Sequence, residues 1–245
     1  MNSAPAFQPF GPAHLNVILL TVVLPFVLAA IVHRTQSGRV ERIIAGSLSF
    51  ILALNYAGYL FLVRRFSPVT WQECLPCQLC DWAMVVVIVA LLTERRSWFE
   101  VAYFWGIGGT LQAIITPNLK YGCPDLRFVS FFVAHSGIII GIVFLMLVRG
   151  YRPYPMSLVR AFIWVEVYFV VVFTTDMLTG FNYGFLLHKP EAFSLLSYLS
   201  DWRPLYLLQM HGLALLSFSV LYLPFAIADL ARLRDHSAAA VSDPR

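Results

Sequence analysis

Charge is what this sequence has least of. Asp, Glu, Lys and Arg make up 12% of the chain, against 59% hydrophobic residues, and the mean hydropathy is +0.74. A soluble domain carries roughly twice that share of charge, about 25%, so the composition is that of an integral membrane protein. The balance of +4 comes mostly from arginines in short segments between apolar runs. That placement suits membrane topology and gives no support to nucleic-acid binding. Four cysteines are too few for a disulfide scaffold. The first 32 residues hold no Lys, Arg, Asp or Glu, so the basic start of a cleaved signal peptide is missing and the first apolar run reads as a retained span. Alternating strands of about ten residues, which a membrane barrel needs, are missing too; the apolar runs are continuous, and an all-helical bundle is favoured.

Crossing about 30 Å of hydrocarbon takes about 20 helical residues. By that measure the chain predicts an all-α, seven-transmembrane-helix bundle, with spans at about Leu15–Val32, Ile43–Val63, Leu75–Leu92, Trp98–Thr116, Phe128–Val148, Leu158–Leu178 and Pro204–Ala228. Asp81 and Asp176 lie near the ends of spans three and six, and Glu166 lies inside span six, where Tyr, Trp or backbone partners are expected to hold it. The domain reading is a short outer N-terminus over 1–14, a membrane domain over 15–230 and a polar cytoplasmic tail over 231–245, with disorder expected from Asp235.

Lys and Arg divide unevenly between the two sides. Arg34, Arg39, Arg42, Arg95, Arg96, Arg149, Arg152, Arg160, Arg232, Arg234 and Arg245 fall on one side; Arg64, Arg65, Lys120, Arg127, Lys189 and Arg203 fall on the other. The richer side is expected to be cytoplasmic, which puts the N-terminus outside and the C-terminus in the cytoplasm.

The stretch from Trp71 to Leu92 holds three of the four cysteines, Cys74, Cys77 and Cys80, and runs without a break into a span. Pro76 suits the first turn of a helix, so span three is expected to start near Leu75 with Cys77 and Cys80 three apart on one face. At 1.5 Å per residue Cys80 lies roughly 6 Å beyond Pro76, and His135 roughly 12 Å beyond Arg127. Cys80, Asp81, Gln112, His135, Asp176, Gln209 and His211 thus share one outer slab, while the inner halves of most spans are nearly pure hydrocarbon. Polar groups in a bilayer are costly and usually face inward or line a cavity, so a polar chamber in the outer part of the bundle is expected.

Each of these residues also has a plain structural reading. An intramembrane His such as His211 can be interhelical glue, as can Gln112 and Gln209, and a lone membrane Cys is usually a small buried apolar side chain. A thiol becomes a nucleophile only with a base or positive charge nearby. Cys80 and Asp81, or His135 and Ser136, cannot supply that to one another, since helix neighbours point about 100° apart. Partners must come from other helices.

The segments LPCQLCDWA (75–83), YFWGIGGTLQAIITPNL (103–119), FFVAHSG (131–137), RPYPMS (152–157), GFNYGFLLHKP (180–190) and LYLPF of span seven together resemble the YwaF-like family of integral membrane proteins, in order from about residue 15 to 228. The resemblance implies a relation to animal membrane acyltransferases that remodel ether-linked phospholipids through a Cys and a His. On it, the family's LC element falls on Cys80, and the His of its aromatic-rich span falls on His135. One departure stands out: where the family has LPLHLC, this chain carries Cys77 and Gln78. The implied chemistry is attack of Cys80, deprotonated by His135, on an acyl ester, then transfer from the thioester to a lysolipid hydroxyl or water. Gln112, Asn182 or backbone N–H groups near the start of span three could hold the oxyanion. The expected substrate is a membrane phospholipid, and neither a cofactor nor a metal is called for. The cysteine spacing suggests zinc or an iron–sulfur cluster, but a fourth ligand is lacking.

Two other classes fit parts of the pattern. Cys77-Gln-Leu-Cys80 at the mouth of a span resembles the redox pair of DsbB-type quinone-coupled proteins, with Cys74 and Cys123 on the oxidising side. Those two could equally form a loop disulfide or stay free. A lipid or small-molecule transporter could use the same chamber, although no internal repeat is evident. The segment Gly180–Arg203, apolar around His188, Lys189, Pro190 and Glu191, reads as a lid, an interfacial helix or a compact loop cap.

Overall fold

The computed structural model describes residues 5–66, 70–190 and 194–242. Glu191 and Arg245 fall outside them, as do the side chains of Arg64, Arg65 and Arg234. The α-helices are α1 (Pro12–Thr35), α2 (Gly38–Phe66), α3 (Leu79–Thr93), α4 (Arg96–Ala102), α5 (Leu111–Ile115), α6 (Leu126–Arg149), α7 (Pro155–Thr179) and α8 (Arg203–Ser242). A π-helical segment, Tyr103–Thr110, joins α4 to α5 without a break, so 96–115 is one composite helix. Among the described residues there is no strand, and one isolated bridge pairs Ala6 with Tyr121.

Five helices, α1, α2, α6, α7 and α8, are long and apolar enough to cross a membrane. α3 has 15 residues and covers roughly 22 Å, short of the hydrocarbon thickness. It and the composite helix pack among the five. Large side chains such as Phe50, Phe61, Leu178 and Leu208 are exposed around the bundle, as expected where the surroundings are lipid.

α6 is the central helix: half of its most apolar stretch is buried, against 6% for α8. Its glycines allow the neighbours to approach. A Cβ at Gly137 would sit 2.7 Å from Leu52 of α2, and one at Gly141 would sit 2.8 Å from Val87 of α3. Small residues at such contacts are the usual device for packing membrane helices, since lipid tails offer no hydrophobic gain to drive them together. α1 is tied to α6 by Thr21, whose hydroxyl donates to Ser136 Oγ at 2.7 Å.

The ends of the bundle differ. At one end Arg149 pairs with Glu41 and, at 2.6 Å, with Glu94. Arg152 pairs with Asp229 at 2.7 Å, and Arg96 and Arg160 share Glu100. This network links α2, the α3–α4 turn, α6, α7 and α8. It gathers arginines from the richer side of the sequence count. The opposite end holds the start of α3, the 116–125 loop and the 180–202 segment.

α8 runs to Ser242. One expectation about boundaries changes. α3 begins at Leu79, not near Leu75, because Leu75 (ψ 137°) and Gln78 (ψ 148°) are extended. Pro76 drives this: a proline clashes with a helical residue before it. The N-cap is Gln78, whose backbone N–H donates to Asp81 Oδ2 at 3.1 Å. Cys77 therefore precedes the helix and does not share a helical face with Cys80.

Candidate functional site

A cavity of about 410 Å³ lies between α3, the π segment, α6, α7, α8 and the 180–202 segment. Its wall is largely apolar, and its polar side chains are Gln78, Cys80, Tyr168, His135, His211 and Ser217. Cys80, His135 and His211 thus share one cavity although they stand on three helices.

Cys80 is the second residue of α3. The first N–H groups of a helix have no carbonyl one turn back to bond, and the helix dipole adds partial positive charge there. With Cys77 outside the helix, it is Cys80 that occupies the first turn. The strand of chain leading to it is clamped. Trp82 Nε1 donates to Pro76 O at 2.9 Å, Tyr168 OH donates to Cys77 O at 3.0 Å, and Tyr183 OH donates to Gln72 O. Three aromatic side chains, from α3, α7 and the 180–202 segment, thereby fix where α3 begins. An aromatic hydroxyl or indole N–H inside a span must find such a partner, and that signal was present in the sequence at Trp82, Tyr168 and Tyr183.

His135 is 9% exposed on α6 and stacks on Phe131 with ring centroids 4.1 Å apart. Its Nδ1 is 2.7 Å from Phe131 O. A carbonyl can only accept, so Nδ1 carries the proton and the neutral ring keeps its lone pair on Nε2. His211 has the same backbone tie, Nδ1 donating to Leu207 O at 2.6 Å, but its Nε2 is 3.2 Å from Glu166 Oε2. Glu166 is therefore held by a histidine, not by Tyr, Trp or backbone. Depth counted from the helix ends separates the two by little more than one turn of about 5.4 Å, which two long side chains can span.

The other sequence candidates do not line the cavity. Asp81 caps α3. Gln112 is exposed and bonds Thr116 on its own helix. Asp176 is fully buried and accepts from Tyr183 N at 2.8 Å, while Oδ2 has no hydrogen-bond partner among the described residues. Asn182 accepts from Leu187 N at 2.8 Å and donates to His188 O at 2.8 Å. Gln209 accepts from Ser200 N at 2.7 Å. Four of the five organise loops or helix starts, because short loops at the end of a bundle leave backbone groups that only such side chains can satisfy.

The 180–202 segment is held by Asn182, by Tyr206 OH donating to Phe185 O at 2.8 Å, and by Lys189 bonding Asp201 at 2.7 Å. It gives Gly184, Phe185, Leu186 and Leu196 to the cavity wall. All four thiols, Cys74, Cys77, Cys80 and Cys123, are unpaired.

Five full-length apolar helices, a central glycine-packed helix and an apolar cavity within the bundle define a multi-pass helical membrane protein. Comparison with known families is specific on one point. The chain matches the model of the TMEM164 family over residues 9–222 and belongs to that family. No curated protein and no solved structure matches it.

Proposed function

We propose that the protein is a membrane acyltransferase in which Cys80 is the nucleophile, His135 the base and a phospholipid or lysophospholipid the substrate. The observation that carries this reading is that Cys80, in the first turn of α3, and His135 both line one largely apolar cavity. The resemblance of the surrounding segments to the YwaF-like acyltransferase relatives supports it. So does the tie that leaves His135 Nε2 free to take a proton. The bundle is read as seven crossings with the N-terminus outside, which sets the chamber at the depth of the outer ester linkages.

In this mechanism Cys80 Sγ gives its proton to His135 Nε2 and attacks the acyl carbonyl. The oxyanion takes hydrogen bonds from the amides at the very start of α3, those of Leu79 and Cys80, which precede the Asp81 amide bonded to Gln78 O at 3.1 Å. The C–O bond to the leaving alcohol breaks, and that oxygen takes the proton from His135. A lysolipid hydroxyl then gives its proton to His135 and attacks the thioester carbonyl; the C–S bond breaks, and Cys80 Sγ leaves and takes the proton back from His135. The departure at Gln78 removes a family histidine from this loop, so His135 is the base on which turnover depends.

The test is Cys80→Ser and His135→Ala in protein reconstituted with labelled phospholipid. Both variants are expected to lose acyl transfer and the hydroxylamine-sensitive acyl mass on the Cys80 peptide, while Cys77→Ser keeps most of both. Loss in Cys77→Ser alone, or a Cys77–Cys80 disulfide under oxidising conditions, would replace this reading with the redox one. Wild-type turnover in His135→Ala would move the base to His211.

A further inference from the structure

The cavity extends well past the thiol. It follows α8 from Met210 to Phe218, a further distance of about 12 Å at the helical rise. Beyond Cys80, His135 and His211, the wall along α8 and the π segment offers Phe104, Leu213, Phe218 and a single hydroxyl, Ser217. An occupant with polar atoms along its length would leave them unpaired there, at a cost that a hydrocarbon chain avoids. The volume of about 410 Å³ holds on the order of a dozen methylene-sized groups, taking each as roughly the 30 Å³ of a water molecule.

One flank of the cavity is open sideways. Gly108 and Gly109 line it and are also exposed. A Cβ at either would come into ordinary van der Waals contact, with Leu221 of α8 at 3.5 Å and with Leu79 of α3 at 3.4 Å, so the bare backbone leaves a gap only as wide as a methyl group. Gly106 in the same segment instead faces α6, close against Ile138 and Ile142. The wider turn of a π helix gives the one segment both a packed face and an open one. Across the gap stands α8, the least buried of the spanning helices, held by α7 and by the π segment. Tyr103 OH donates to Leu221 O at 3.0 Å and fixes α8 below the opening.

We propose that this cavity is the binding site for one phospholipid acyl chain, which passes from the bilayer between Gly108–Gly109 and α8 and lies with its ester end at Cys80. The inference rests on the acyl-transfer reading only for what happens at the carbonyl; holding the chain needs no thiol.

The test uses the full chain in nanodiscs of phosphatidylcholine that carries a photoactivatable diazirine near the end of one long acyl chain. Crosslinks are expected on peptides covering 104–113 and 210–218. Gly109→Leu, which fills the gap from the π segment, and Ala214→Phe, which fills it from α8, are each expected to lower the crosslink on the opposite wall by about tenfold. That is the loss expected from displacing two buried methylenes. Cys80→Ser is expected to keep the crosslinks and lose the acyl adduct, so the two readings fail separately. Crosslinks confined to outward residues such as Phe50 and Phe61, or unchanged yields in both folded variants, would overturn the proposal. Where neither variant folds, the wild-type crosslink map decides alone.

Discussion

Tyr168→Phe removes one hydroxyl from the clamp that sets the start of α3 and leaves the ring in place. The lost bond runs from Tyr168 OH to Cys77 O at 3.0 Å, between two buried residues. No other donor reaches that carbonyl among the described residues, so the variant leaves a buried acceptor unsatisfied, at about 1–3 kcal/mol. For a chain of this size that corresponds to a fall in melting temperature of roughly 2–4 °C per kcal/mol. The ring packing against Trp82, 5.4 Å between centroids, survives, which confines the effect to the loop. Thermal unfolding in detergent should show the drop, and mass-spectrometric alkylation should show faster modification at Cys77 as the loop loosens. Tyr183→Phe acts on the same loop through Gln72 O, so the double variant should deviate from additivity, as neighbours in one network do. An unchanged melting temperature together with unchanged alkylation would refute the claim that these hydroxyls position α3.

Gly106→Ala would place a Cβ 2.8 Å from Ile138 and closer still to Ile142. Overpacking of this kind costs about 1–3 kcal/mol, and a second-site Ile142→Val, which removes the clashing Cδ1 at a cost of about 0.5–1.5 kcal/mol, should make the double variant less destabilised than the sum of the two single variants; strict additivity would mean the contact is not the cause. Arg149→Ala strands Glu41 and Glu94 together. Because Arg149 is 30% exposed, the loss should be about 1–2 kcal/mol, under the 3–5 of a fully buried pair, and a double variant with Glu94→Gln should lose less than the sum. In the loop before α3, burial, with Asp176 and Asp81 adding to it, pushes the Cys77 thiol up from its ordinary value of 9.0. The reactive thiolate therefore forms only at higher pH: Cys77 alkylation should be slow at neutral pH and climb beyond the range where an exposed thiol has levelled off. Alkylation of Cys77 as fast as the exposed Cys123 at neutral pH would contradict that shift.

Composition and run length determined the membrane class and the helical architecture, because few charges and continuous apolar runs leave helices as the only way to satisfy the backbone in lipid. They also placed the long helices to within about five residues, except for the end of α8, which runs 14 residues past Ala228 (242 − 228). That Cys80 and His135 line one cavity was legible as shared depth, a quantity that follows from helical rise alone. Depth says nothing of azimuth, and so Gln112, Asp176 and Gln209 joined the same slab although their side chains serve loops or their own helix. The start of α3 was decided by hydrogen bonds from Tyr168 and Tyr183, about 90 and 110 residues away in sequence, which no local pattern could register. The same holds for the His211–Glu166 pair and for the glycines of the π segment. Their two roles, packing against α6 and opening the cavity flank, exist only once α6 and α8 stand on either side of them.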